Sequence, residues 1–115
     1  MLKKRLLIAL VAMVFVLSSV NVFAATKTTI NPNLTFNGTT AHCSVSVFDY
    51  GKNIDITLEL WQGNTLIHSW PANRTSYVII DEYSLVTSGC TYTLLVTGTI
   101  DDVYINCTPV TKTCP

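Results

Sequence analysis

Two histidines, four cysteines and one pair of adjacent aspartates are the residues that could do chemistry in this chain. A hydrolytic centre built on His42 or His68 would need a nucleophile and an orienting acid close to the ring, in a cleft. No Gly-x-Ser-x-Gly motif or comparable spacing arranges serine and aspartate around either histidine. We therefore interpret both as surface residues on polar strand faces and expect no enzyme activity, no catalytic residue and no cofactor.

The adjacent acids Asp101-Asp102 suggest calcium, the ion that carboxylate oxygens bind best. Calcium takes about six to eight oxygen ligands, and two acids at the tip of a hairpin supply few of them. The pair is more typical of a solvated turn, so we predict no metal site.

The four cysteines, by contrast, indicate covalent cross-links. An even number of cysteines in a small exported domain is typical of disulfide bonds, whereas zinc sites use close pairs such as Cys-x-x-Cys, which this chain lacks. The sequence therefore predicts two disulfides among Cys43, Cys90, Cys107 and Cys114.

The N-terminus has the three parts of an export signal. Basic residues precede an apolar run from Leu6 to Leu17, and Val22-Phe23-Ala24 supplies the small residues that a signal peptidase needs. We predict a signal peptide over residues 1–24, with cleavage after Ala25 as the second choice. An uncleaved membrane anchor is the alternative, but the run is shorter than the ~20 residues that span a bilayer. The expected product is one secreted domain, residues 25–115, free of the membrane.

Charge excludes two classes of partner. The full chain has seven basic and seven acidic side chains, but three of the basic ones lie in the signal. The mature domain keeps four against seven, a net charge of −3. Scattered, mildly acidic charge gives no attraction to nucleic acid or to anionic lipid, so we expect neither as a partner.

Apolar and polar residues alternate with a period of two through most of the mature chain, which predicts strands. The organising element is a hairpin within Ser88–Cys107 that turns at Asp101-Asp102. Five further strands are predicted over residues 30–36, 39–48, 54–61, 65–70 and 76–80. About seven short strands, each with one apolar face, favour an all-β, two-sheet sandwich over the alternative, a small closed barrel.

Side-chain directions follow from the same alternation. We expect Tyr77 and Ile79 to point inward from the fifth strand, and Leu85 to fill the bottom of the core. In the last strand the inward set is predicted to be Val103, Ile105 and Cys107.

The hairpin also bears on the disulfide pairing. A turn at Asp101-Asp102 puts Cys107 on the inner face and places Cys90 one residue from facing Cys114. We prefer Cys90–Cys114 with Cys43–Cys107. The pairing Cys43–Cys90 with Cys107–Cys114 remains open, because spacing alone does not exclude it.

One group of side chains could form a binding surface. In one register of the hairpin that turns at Gln62–Asn64, two tryptophans and two neighbours share an outer sheet face, and exposed aromatic patches mark binding sites. The four residues are Trp61, Leu66, His68 and Trp70. A shift of one residue turns the last three inward instead.

Several short motifs resemble known families. The segment from Ser76 to Gly98, with Tyr92 before an alternating strand, resembles the corner of fibronectin type III and immunoglobulin-like domains where a tyrosine bonds back to the preceding loop. The mature chain also resembles small exported proteins of Clostridia and related Firmicutes, in residues 38–43 (GTTAHC), 54–60 (IDITLEL) and 89–94 (GCTYTL) and in Trp70. The resemblance implies an immunoglobulin-like or fibronectin-like sandwich and export, and it implies no particular activity.

The sequence therefore predicts an exported, non-enzymatic module that binds a glycan or a protein at a cell surface. The alternative is a small secreted effector, an inhibitor or toxin, that exploits disulfide rigidity.

Overall fold

The computed structural model describes residues 29–115, and the predicted signal peptide lies outside this range. The described part is all-β. Its eight strands are β1 (Thr29–Ile30), β2 (Asn33–Asn37), β3 (Thr40–Gln62), β4 (Thr65–Leu85), β5 (Thr91–Ile100), β6 (Val103–Tyr104), β7 (Asn106–Cys107) and β8 (Val110–Thr113).

A long antiparallel ribbon of β3 and β4 organises the fold. These strands have 23 and 21 residues, and they pair from Gln62 with Thr65 at the turn to Thr40 with Leu85 at the far end. The pairing shifts register twice: by one residue near the turn, between Leu60 and Trp61, and by three where residues 50–52 of β3 form a bulge opposite the Thr75–Ser76 step of β4. At this bulge Gly51 and Ser76 adopt positive φ angles of 80° and 77°, and the Gly51 N–H donates to Ser76 Oγ at 2.9 Å. A bulge bends a strand and increases its twist, so the ribbon has two halves.

Each half of the ribbon belongs to a different layer. The upper layer contains β2, residues 40–49 of β3 and residues 76–85 of β4. The lower layer contains residues 65–75 of β4, residues 53–62 of β3, β5, β6 and β8. The Phe36 and Tyr92 rings, 6.2 Å apart, and a 2.9 Å bond from Lys112 Nζ to the Leu34 carbonyl join the layers. The result is a two-layer, sandwich-like arrangement, with β1 and β7 as a separate parallel pair.

The core lies between these layers and is built from the alternate residues of each strand. β3 contributes inward-facing side chains to the core from both layers, because the strand passes from the upper layer to the lower layer at the bulge. The buried apolar residues of β3 are Ala41, Cys43, Val45, Val47, Ile54, Ile56, Leu58 and Leu60. Leu34, Val78, Ile80, Val86, Tyr92, Leu94, Val96 and Ile100 pack against them.

Two of the predicted turns are present. Asp101 and Asp102 both have positive φ and join Ile100 to Val103, as the hairpin prediction requires. Asp101 Oδ1 also accepts a 2.7 Å hydrogen bond from the Asn53 N–H, which fixes this turn against β3 beside the bulge. The loop between β3 and β4 turns at Gly63-Asn64, within the predicted segment.

The number and length of the strands differ from the prediction. Residues 39–48 and 54–61 were expected as two strands and are parts of one, and the same is true of residues 65–70 and 76–80. Pro71 follows the predicted strand 65–70, and proline commonly ends a strand because it has no N–H for the ladder, but here it lies inside β4. It is tolerated because, within residues 29–115, β4 pairs only with β3, and a proline on an edge strand removes no bond from the sheet. The last strand breaks after Tyr104, because Asn106–Cys107 leaves β5 to pair with β1.

The predicted directions of four side chains are wrong. Tyr77 and Ile79 point outward, because β4 pairs so that its other residues, Val78 and Ile80, lie opposite the inward Val47 and Val45. In a strand, the register with its partner decides which alternate set is buried.

Leu85 and Val103 are also exposed rather than inward. Leu85 faces Thr40 on the outer side of the upper layer, and the next residue, Val86, turns into the core while its N–H donates to the Thr39 carbonyl at 2.9 Å. Val103 begins the short β6, both residues of which are exposed.

Gly98 lies at a position where the lower layer has no room for a side chain. It lies opposite Ile56 with φ 137°, and a Cβ there would sit 2.1 Å from the Asp55 carbonyl oxygen. We expect Gly98→Ala to destabilise the fold by about 2 kcal/mol or more, because backbone atoms of β3 must move. Gly63→Ala is the matched control: its φ is also positive, at 58°, but its surroundings are open, so only the backbone strain of about 1 kcal/mol applies. Urea unfolding midpoints measure both, and equal midpoints would show that β3 and β5 are not in close contact at Gly98.

Candidate functional site

The outer side of the upper layer exposes an unusual amount of apolar surface. Five large side chains point into solvent here, which we call the aromatic face: Phe48 (69 % exposed), Tyr77 (47 %), Ile79 (57 %), Tyr83 (64 %) and Leu85 (81 %). Contiguous apolar patches are uncommon on soluble proteins and mark interaction sites. The aromatic face is therefore the candidate functional site.

The ribbon register brings these residues together. Phe48 of β3 lies directly opposite Tyr77 of β4, and His42 lies directly opposite Tyr83. Both pairs stack across the strands: the Phe48 and Tyr77 ring centroids are 5.9 Å apart and those of His42 and Tyr83 are 4.6 Å apart. Aromatic cross-strand pairs stabilise a sheet and hold the rings in place, so this surface is preorganised.

Polar groups fill the space between the two stacked pairs. Ser44 lies opposite Asp81, and Ser46 lies opposite Ile79. The Asp81 carboxylate is hydrogen-bonded to His42 Nε2 on the open surface, with both side chains partly exposed. The stacked pairs are six positions apart along each strand, about 20 Å at the usual rise. The face thus has stacked rings at both ends, including the His42 imidazole, and Ile79 with hydroxyl and carboxylate groups between them.

The predicted binding patch is distributed over two faces. Trp61 lies opposite Leu66, as in the predicted register that gives a shared outer face. The pairing then shifts by one residue between Leu60 and Trp61. His68 is consequently opposite Leu60, and Trp70 is opposite Leu58. Trp61 and Leu66 therefore share one face, while His68 and Trp70 lie on the side of the buried leucines.

The two halves of the patch have different surroundings. The Trp61 Nε1–H donates to Glu59 Oε1 at 2.9 Å, so this indole is held along its own strand. His68 and Trp70 stack with ring centroids 5.3 Å apart, and Trp70 packs partly against the core. The four side chains do not form one continuous surface.

The four cysteines are free thiols, and none of them lies at disulfide-bonding distance from another. The prediction of disulfide bonds is therefore not met in this structure. The main chains of Cys90 and Cys114 are neighbours, joined by a 2.9 Å hydrogen bond, but Cys114 Sγ is turned into the core and donates to the Gly38 carbonyl at 3.4 Å. Cys107 Sγ accepts a 3.2 Å hydrogen bond from the Val96 N–H of β5, while the main chain of Asn106–Cys107 pairs with β1.

Burial sets the reactivity of Cys43. Its side chain is fully enclosed in the upper layer, and desolvation raises the pKa of its thiol from 9.0 to about 11. The thiolate is the reactive form, so this thiol is inert at neutral pH in the folded protein.

Alkylation with iodoacetamide at pH 8 tests the thiol assignment. We expect the half-buried Cys90 and Cys107 to be modified in the folded protein, whereas the buried Cys43 and Cys114 are modified only after denaturation, because labelling needs an accessible thiolate. Peptide mass spectrometry without a reducing agent reads each position. Cysteines that stay unmodified after denaturation would show that disulfides form after all.

No group of three or more His, Cys, Asp and Glu side chains in residues 29–115 is placed to hold a metal ion. The described residues also contain no helix of the length and apolarity that crossing a membrane requires.

Comparison with known proteins does not assign the chain to a family: no family model matches it, and no curated protein matches it. One contact implied by the fibronectin-like resemblance is present: the Tyr92 hydroxyl accepts a hydrogen bond from the Thr87 N–H at 2.8 Å.

Sequence reasoning missed the aromatic face for an identifiable reason. Residues 77–80 read Tyr-Val-Ile-Ile, so the apolar run is continuous and alternation cannot say which pair is buried. The usable signal lay in the partner strand, where Val45 and Val47 alternate with serines and so define the inward phase.

Proposed function

We propose that this chain is an exported, non-enzymatic binding module with an immunoglobulin-like sandwich scaffold, and that it binds its ligand on the aromatic face. The observation that carries the proposal is the exposure of five large apolar side chains on one side of a rigid three-stranded layer. The Tyr92–Thr87 hydrogen bond supports the scaffold type, since the same bond marks the corner of immunoglobulin-like domains. The predicted signal over residues 1–24 supports export.

The chemistry of the face favours a cell-surface glycan as the ligand. A sugar ring has an apolar side that packs on aromatic rings and hydroxyl groups that exchange hydrogen bonds with polar side chains. The stacked aromatic pairs supply the first kind of contact, and Ser44, Ser46 and the His42–Asp81 pair supply the second. The spacing of about 20 Å between the pairs fits a chain of sugars better than a single one.

Alanine variants on a glycan array and on immobilised peptidoglycan test the site. Phe48→Ala and Tyr83→Ala should each weaken retention by about tenfold or more, the usual loss when an aromatic anchor is removed. Both side chains are exposed in the free protein, so the melting temperature should change little.

Trp61→Ala is the matched control, because Trp61 is an aromatic residue of the other layer. Its retention should equal that of the parent. Loss of retention in Trp61→Ala alone would move the site to the predicted patch. Retention that no variant changes would rule out both surfaces.

A further inference from the structure

The upper layer has two edges, and they differ in how well they are protected. β2 forms one edge, with five residues, and Lys112 Nζ already bonds to its Leu34 carbonyl. β4 forms the other edge. Within residues 29–115 it pairs only with β3, so every second residue of its upper half has an N–H and a C=O directed away from the sheet.

The segment Tyr77–Ile80 lacks the usual means by which edge strands avoid pairing with other chains. Such strands carry lysine, proline or a bulge, or they are very short. Pro71 and Arg74 lie in the lower half of β4, before the bend at Ser76, and Asp81 and Glu82 follow the segment. Between them lie four consecutive residues with large apolar or aromatic side chains.

We propose that a second copy of this chain pairs antiparallel with the upper half of β4, so that two three-stranded layers join into one six-stranded sheet. Such a contact is its own complement, because a two-fold axis relates the two edges. The occupant is another copy rather than an unrelated strand because the segment is complementary to itself: a two-fold axis at Ile79 places its aliphatic side chains opposite one another and no acidic side chain opposite another.

In the dimer, side chains that point outward from one copy must lie beside side chains that point outward from the other. This holds only for registers in which the two-fold axis passes through a residue of β4. An axis at Asp81 opposes the two Asp81 carboxylates, and like charges directly opposite each other are destabilising. An axis at Ile80 places Glu82 beside Val78 of the second copy, against a buried apolar side chain.

An axis at Ile79 avoids both problems. Ile79 then faces Ile79 of the second copy, Val78 faces Ile80, and Asp81 faces Tyr77, so that no two carboxylates are opposed. The dimer also places the aromatic faces of its two copies side by side on one surface. This inference goes beyond the proposed function, because the dimer needs the edge of β4 and no ligand.

Sedimentation velocity across a range of protein concentrations tests the proposal. The parent should reach the sedimentation coefficient of a dimer as its concentration rises. Ile79→Lys puts two lysines opposite each other at the axis and should raise the dissociation constant more than about a hundredfold, since opposed like charges cost several kcal/mol. Thr35→Lys is the matched control, an exposed residue on the same side of the same layer but on β2, and it should dimerise like the parent.

A cross-linking variant keeps the test valid if Ile79→Lys does not fold. Side chains at an antiparallel axis have Cβ atoms about 5 Å apart, close to disulfide reach. Ile79→Cys should give a covalent dimer on mild oxidation, whereas Tyr83→Cys, far from the axis, should give no more than the parent.

The outcomes separate the two proposals. A parent that stays monomeric, or a dimer that Ile79→Lys and Thr35→Lys affect equally, overturns the inference. A monomer that shifts only when a foreign protein is added overturns it as well. Glycan retention on the array is measured independently, so a monomer that binds glycan leaves the proposed function standing, and a dimer that binds none leaves the inference standing.

Discussion

The structure depends on one constraint, the register between β3 and β4 on either side of the bulge at residues 50–52. Pairing Val45 and Val47 with Ile80 and Val78 sets the phase of the whole upper layer. Once that phase is set, Phe48, Tyr77, Ile79 and Tyr83 have no place in the core. A single slip by one residue would exchange the two sets, so the buried core and the exposed face are two results of the same pairing.

The bulge also explains why the ribbon can serve two layers. Three extra residues in β3, a glycine in the left-handed region and a serine hydroxyl that accepts the Gly51 N–H bend both strands at the same point. The Asp101 turn bonds to Asn53 immediately beside this bend and holds β5 against it. Within residues 29–115 the upper layer has three strands, and its β4 edge and outer side are open to solvent.

Local pattern predicted much of this fold. Clean alternation at Ile54–Leu60, the positive-φ turn at Asp101-Asp102 and the tyrosine at the start of β5 are short-range signals, and the structure agrees with each of them. The errors arose where the outcome depends on distant pairing. Residues 77–80 are apolar throughout, the Trp61 hairpin shifts register within itself, and the cysteine contacts depend on β7 leaving β5 for β1. None of these three facts is visible in a local window of sequence.

Amide hydrogen exchange along β4, measured in dilute and in concentrated protein, would show both its register with β3 and its free edge. We expect the amides of residues 77–85 to alternate: those bonded to β3 exchange slowly at every concentration, and those on the free edge exchange quickly when dilute. Raising the concentration should slow the second set around Ile79, while β2 is unaffected. Uniform protection at all concentrations would contradict the open edge, and the opposite alternation would contradict the register on which the fold depends.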